Sequence, residues 1–345
     1  MSGDRLDDRV REAAAALAHR RVDSVVPVAA GGNSRIYRVG CGAQDFALKC
    51  YPARNQDPRD RAETEFKALL FLERYCPGRA PRAYAVDAEG AYLLLEWVEG
   101  SRVKEIGPCQ VDAAVTFLGD IFNASAQPEA GDMPPASEAC FSGQEIVRQL
   151  LAREAKLRAA AGDDPRLMEF LDHEFAPASE RLVEQARSCY GEAGLDFTGE
   201  LAPASRSLVP SDFGFHNAIR KADGVLVFVD HEYFGWDDPV KVVADFLLHP
   251  ATPLANDMAR RFWRGVCGYR ENDGSFLIRL KLLYPLFGAR WCLILLNEFL
   301  PERWAGRVFA GARDEWARVK VEQLSRSRGL LRRVCNEFQG LFDEQ

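Results

Sequence analysis

The amino-acid sequence predicts an α+β chain in two lobes: a small strand-rich lobe over residues 1–98 and a larger, mostly helical lobe over residues 99–345. Three observations carry that prediction. Short β-rich runs separated by glycine turns crowd into residues 22–98. Stretches of helical character fill most of residues 99–345. A single β-rich island over residues 209–230 interrupts them.

Residues 4–20 (DRLDDRVREAAAALAHR) read as an alanine-rich helix. The runs VDSVVPVA (22–29), RIYRV (35–39) and DFALKCY (45–51) are separated by Gly31-Gly32 and Gly40-Cys41-Gly42, the pattern of an antiparallel meander. A charged helix over 57–75 comes next, with Phe66, Leu69, Leu70 and Leu72 forming an uneven apolar stripe. Two more strands, RAYAVDA (82–88) and AYLLLEWV (91–98), are joined by Glu89-Gly90. The lobe boundary falls at Val98-Glu99-Gly100-Ser101, where a glycine can serve as a hinge. Beyond it, helices are expected over 109–124, 143–161, 164–190, 239–249, 255–271, 277–300 and 308–341. Within the β-rich island, Lys221-Ala222-Asp223-Gly224 is a hairpin turn signal.

Composition removes several classes of function. The net charge is −7, from 44 basic and 51 acidic residues, and the basic residues are scattered. A nucleic-acid partner, which calls for a basic stripe, is therefore not expected. The nine cysteines are widely spaced without a Cys-x-x-Cys pair, as free thiols in a reducing compartment would be. Asp4, Arg5, Asp7, Asp8 and Arg9 occupy the stretch where a signal-peptide apolar region would begin. Pro285, Arg290 and Glu298 interrupt the most apolar segment, so no membrane partner is expected and the chain reads as cytoplasmic.

Two segments carry chemistry. In the first, GGNSRIYRV (31–39), a glycine turn between strands presents backbone N–H groups without an intervening Cβ. Lys49, on the next strand, would aim a cation at the same phosphates. Gly-Gly is more often a plain tight turn, and a strand lysine more often solvated. Glu65, sixteen residues after Lys49, is the candidate partner that would fix it, preferred to Glu63 because it lies directly before the apolar stripe. In the second segment, Pro210-Ser211-Asp212-Phe213-Gly214-Phe215-His216-Asn217 precedes Val227-Phe228-Val229-Asp230-His231-Glu232. A carboxylate to accept a hydroxyl proton (Asp212), with Asn217 and Asp230 to hold Mg²⁺, is the minimal kit for phosphoryl transfer.

These elements resemble those of the aminoglycoside phosphotransferase and choline kinase family, the small-molecule relatives of protein kinases, over residues 25–250 and in the same order. Gly31, Gly32, Asn33 and Ser34 resemble the family's nucleotide loop; Lys49 and Glu65 resemble its phosphate-binding lysine and helix partner. Glu96, Trp97 and Val98 resemble the hinge whose backbone holds the base. Asp212 and Asn217 resemble the catalytic aspartate and first metal ligand of its His-Gly-Asp-x-x-x-x-Asn loop, and Asp230 the second metal ligand. The resemblance implies a protein-kinase-like fold, with a five-stranded antiparallel small lobe built on one main helix over a helical lobe. It also implies ATP or GTP with Mg²⁺, and a small-molecule hydroxyl acceptor.

Two positions depart from the family's pattern. Pro210-Ser211 replaces His-Gly, and His231 stands where an aromatic or apolar residue is usual, as a packing substitute. His216 is expected to brace the loop. Asp237-Asp238-Pro239 reads as the cap and first turn of a helix. Asp245, among apolar neighbours, is expected to be satisfied by the catalytic-loop backbone. For the acceptor, Arg290, Asn297 and Glu298 share a helix face and are candidate pocket residues, a buried ion network being the alternative. A sugar, an amino alcohol or an aminoglycoside-like molecule would all suit. A non-catalytic kinase-like binding module is the alternative function, motivated by Pro210-Ser211. A protein kinase ranks lower, because 231–240 is too short for a long activation loop.

Overall fold

The computed structural model describes residues 3–28, 34–52, 60–87, 89, 91–162, 164–309, 315–336 and 339–342. Helix α1 (Gly3–Ala18) precedes strands β1 (Ser24–Pro27), β2 (Arg35–Cys41) and β3 (Gln44–Cys50). Helix α2 (Arg61–Tyr75), β4 (Ala83–Val86) and β5 (Tyr92–Glu96) complete the small lobe. The five strands form one antiparallel sheet in the order β1-β2-β3-β5-β4. Gly42 turns the β2–β3 hairpin with φ +65°, a conformation open to glycine at little cost.

Alternation along β3 decides which side chains meet which helix. Phe46, Leu48 and Cys50 share a face and pack with Val10 and Ala14 of α1. Lys49, one residue out of phase, points to the other face, where α2 lies. Asp60 caps α2 by accepting from the Glu63 amide at 3.2 Å; residues 57–59 of the expected helix lie outside the described residues.

The second lobe opens with β6 (Ser101–Arg102), α3 (Pro108–Ala124) and α4 (Gly143–Ala161). Helix α5 (Pro165–Glu169) runs through a π-helical turn, Phe170–Phe175, into α6 (Ala176–Glu192). Strands β7 (Ser207–Val209), β8 (Ala218–Arg220), β9 (Leu226–Phe228) and β10 (Gly235–Asp237) form the island, β6-β8-β9 in one sheet and β10-β7 in another. Helices α7 (Pro239–Leu248), α8 (Asn256–Gly268), α9 (Phe276–Leu295), α10 (Pro301–Phe309) and α11 (Trp316–Asn336) complete the lobe.

Gly100 owes its identity to close packing. A Cβ there would lie 2.5 Å from the Arg220 carbonyl oxygen and 2.7 Å from Ile219 Cγ2 on β8. The single helix expected over 308–341 is not what forms: α10 begins at Pro301, a residue suited to a first helical turn, and described helix resumes at Trp316. Residues 276–299 are long and apolar enough to cross a membrane, but 72% of the apolar window is buried inside the protein, where α9 packs against α4, α6, α7 and α11. Phe213, Phe228, Phe246 and Phe262 form a ring-contact chain beside it, with centroids 3.8–5.3 Å apart.

Candidate active site

Lys49 is 3% exposed and lies among three carboxylates. Its Nζ is 2.6 Å from Glu65 Oε2, 2.5 Å from Asp230 Oδ1 and 3.2 Å from Glu232 Oε2. Tyr51 donates its hydroxyl to Glu65 Oε2, and Glu65 Oε1 accepts the His231 backbone N–H at 3.0 Å. Arg61 Nη1 donates to Glu232 Oε1 at 3.0 Å. Burial alone would lower the Lys49 pKa; the charges of Asp230, Glu232 and Glu65 outweigh it and hold the ammonium well above its ordinary value. Asp230 is raised by burial and by the Glu65 and Asp212 charges, against the pull of Lys49. Glu63, the rejected alternative, pairs on the surface with Lys67 at 3.2 Å.

The 211–217 loop is anchored by two aromatics, Phe213 and Phe215, which are 3% and 1% exposed. Asp212, His216 and Asn217 flank them and are half-buried. Asp212, its side chain 36% exposed, accepts from His216 Nε2 at 3.2 Å. His216 stacks on His249 of the α7 end, centroids 3.8 Å apart and planes 4° apart, and Trp291 meets His249 edge-on at 4.9 Å. Burial pushes His249 down to about 4, so its ring is uncharged at neutral pH. Burial would raise the Asp212 carboxyl, but the hydrogen bond and charge of His216 overcome it and hold it below its ordinary value. Asn217 Nδ2 donates to the Asp212 carbonyl at 3.0 Å, and the Asn217 carbonyl accepts Val229 N–H at 2.8 Å. Ser211 takes φ +60°, a left-handed conformation that a glycine would adopt without strain.

At the end of β5, Glu96 N–H donates to the Arg82 carbonyl at 2.8 Å, and its carboxylate accepts Arg82 N–H at 3.1 Å. Trp97 and Val98 are half-buried and lie beyond the strand. The guanidinium of Arg38 covers the Trp97 ring at 4.7 Å. Ser34 is buried just before β2; Gly31, Gly32 and Asn33 lie outside the described residues.

A pocket of about 500 Å³ adjoins the loop, and Asp212, Arg290, Asn297 and Glu298 all line it. Arg290 belongs to a buried network, donating to Asp245 at 2.8 and 3.0 Å and to Gln149 Oε1 at 3.0 Å. Asp245 is thus not held by the catalytic-loop backbone as expected; Arg290 and the Trp291 indole, at 2.8 Å, satisfy it, because both project from the facing helix α9. Glu298 pairs with Arg307 at 2.8 Å. His231 is a packing residue: 1% exposed, it bonds the Phe228 carbonyl through Nε2 at 2.9 Å, and burial pushes its pKa down to about 4.

Sequence reasoning gave no role to Glu232, Arg61, His249 or Trp291. Glu232 had one available signal, a second carboxylate two residues after Asp230.

No protein-family model matches the sequence, and no curated protein matches it. Solved structures do. A choline kinase from Streptococcus pneumoniae aligns with a TM-score of 0.58 at 16% identity, covering 95% of this chain and 99% of its own. A Plasmodium vivax ethanolamine kinase aligns at 0.57 and 13% identity, covering 88% and 82%. A spectinomycin phosphotransferase, solved with ADP and spectinomycin, aligns at 0.56 and 10% identity, covering 92% and 98%. The chain has the two-lobed, protein-kinase-like α+β fold of these small-molecule kinases.

Proposed function

We propose that this chain is a phosphotransferase that moves the γ-phosphoryl group of ATP or GTP, bound with Mg²⁺, to a hydroxyl of a small molecule. The reading takes residues 1–98 as the nucleotide-binding lobe and 99–345 as the catalytic and acceptor lobe. The observation that carries it is the position of Asp212. Asp212 lines the 500 Å³ pocket, and through Asn217 its loop is tied to Val229, the residue next to Asp230 of the Lys49 cluster. One carboxylate thereby adjoins both an acceptor-sized cavity and a cation–carboxylate cluster.

The residues suit a hard divalent cation. Asn217 uses its Nδ2 on the Asp212 carbonyl, which leaves Oδ1 as an oxygen donor. Among Lys49, Arg61, Glu65, Asp230 and Glu232 the carboxylates outnumber the cations by one, an imbalance that favours added positive charge. Asn217 and Asp230 would hold Mg²⁺, which when bound supplies neutralisation of phosphate charge. Lys49, immobilised by Glu65, presents a fixed ammonium to phosphate oxygens. Asp212, kept ionised by His216, orients the acceptor hydroxyl and takes its proton as the oxygen attacks. The hinge residues Glu96, Trp97 and Val98 are proposed to receive the base, with Ser34 and Gly31, Gly32 and Asn33 covering the phosphates.

Thermal shift with ATP and GTP, with and without Mg²⁺, tests the proposal on wild type, Asp230→Ala and Asp212→Ala. A Mg²⁺-dependent rise that disappears in Asp230→Ala and survives in Asp212→Ala is expected, with phosphoryl transfer abolished in both. No stabilisation of the wild type by either nucleotide would favour a non-catalytic binding module, the reading that Pro210-Ser211 invites.

A further inference from the structure

We infer that the acceptor of this site is a small hydroxylated anion, one bearing a carboxylate or a phosphate. The inference rests on the phosphotransferase reading for its reaction and on the pocket beside Asp212 for its chemistry.

Six cationic side chains line that pocket: Arg153, Lys241, Arg290, Arg303, Arg307 and Arg326. Four carboxylates face them. Three of the four are already neutralised. Glu138 holds Arg153 at 2.5 Å, Asp245 holds Arg290 at 2.8 Å, and Glu298 holds Arg307 at 2.8 Å. Lys241 turns to Asp237, at 3.1 Å. Asp212, reserved for the acceptor hydroxyl, is the fourth. This leaves Arg303 of α10, near the Glu298 and Glu302 charges but without a direct ion pair to either, and Arg326 of α11; neither guanidinium has an ion pair or a side-chain hydrogen bond among the described residues. Two unpaired guanidiniums from separate helices on one cavity form a receptor for an oxyanion, which each can grip through two parallel N–H bonds. A quaternary or primary ammonium would meet like charge there instead.

The same wall offers hydroxyl partners. Glu298 Oε2 and Gln323 Oε1 line the pocket, are buried, and have no hydrogen-bond partner among the described residues. Such acceptors are costly to leave empty and suit the O–H groups of a polyol. The arrangement therefore matches a molecule with an anionic end for the arginines and several hydroxyls for the buried acceptors, one of which reaches Asp212.

The test measures ADP release from Mg-ATP by the full chain with four acceptor sets. They are D-gluconate and D-glycerate, ribose 5-phosphate and glycerol 3-phosphate, neutral erythritol, and cationic choline and spectinomycin. Turnover confined to the carboxylate set or the phosphate set supports the inference and names the anion. Arg303→Gln/Arg326→Gln, and the exposed Arg326→Gln alone, should then raise KM at least tenfold and at least threefold with kcat little changed. KM in the wild type should rise with added NaCl. Turnover of choline, spectinomycin or erythritol with none of the anions overturns the inference and leaves the phosphotransferase standing. An anion KM unmoved by the double variant also overturns it. If no acceptor is turned over, thermal shift with gluconate and ribose 5-phosphate decides: arginine-dependent stabilisation keeps the anion pocket while the phosphotransferase reading fails, and none removes it.

Discussion

Lys49 Nζ and Glu232 Oε2 lie 3.2 Å apart, joining a strand of the small lobe to the segment just past Asp230. Both side chains are almost fully buried, and Arg61 holds the other oxygen of the same carboxylate at 3.0 Å. A carboxylate removed from such a cluster leaves its cations desolvated and less well paired.

Glu232→Ala is therefore expected to destabilise the protein by about 3 kcal/mol, the scale of a broken buried pair. Urea denaturation should show a lower midpoint with an unchanged slope. A midpoint within experimental error of wild type would mean that the cluster is balanced without Glu232.

His231 makes the fold sensitive to acid. Its pKa falls to about 4 when buried, so between that value and its ordinary 6.5 the unfolded chain binds a proton that the folded chain does not. Stability consequently falls as the pH drops from 6.5 to 4, by up to about 3 kcal/mol from this residue. His231→Phe should flatten that slope in denaturation curves at about pH 7, 6, 5 and 4. An unaltered slope would assign the acid sensitivity elsewhere.

His216→Ala should raise the Asp212 carboxyl, because burial then acts without the opposing hydrogen bond. Carbon-13 NMR titration of the Asp212 carboxyl reads this directly. The depressed wild-type value stabilises the fold above the unfolded carboxyl pKa, and that contribution is lost as the pH falls through the folded one. An unmoved midpoint would show that His216 only packs.

Ser211→Gly should stabilise the chain by about 1 kcal/mol, since glycine takes φ +60° without Cβ strain. The Ser211 hydroxyl is also buried without a partner among the described residues, so its removal adds to the gain. A loss of stability by thermal melting would mean that unfolded-chain entropy outweighs both effects.

Local patterns made the scaffold legible. Short β-rich runs bounded by turn residues marked all five strands of the small lobe, and Lys221–Gly224 marked the β8–β9 hairpin, where Gly224 has φ +87°. Asp237-Asp238-Pro239 marked the start of α7, and within that stretch Asp238 is the cap, its Oδ1 accepting Val240 N–H at 3.0 Å. The Lys49–Glu65 pair was readable because strand and helix periodicities both limit which side chains can meet. Partners fixed only by tertiary packing were not readable. Arg61 and Glu232 are 171 positions apart, and Asp245 and Arg290 are 45 apart, so no spacing rule links them. His249 lies just past the end of α7 and acquires meaning only when the loop brings His216 against its ring.

Besides the Lys49–Asp230 pair, the path from β9 to Glu232 is sewn to the small lobe at three further residues. Phe228 N–H reaches the Arg79 carbonyl at 2.8 Å, His231 N–H reaches Glu65, and Glu232 reaches Arg61. Two of these stitches end on α2. A rotation of that helix about its own axis must drag the backbone on either side of Asp230, so helix and aspartate behave as crank and pin. Any agent that turns α2, from whatever direction it presses, would be felt at Asp230 as a displacement rather than as a change of charge.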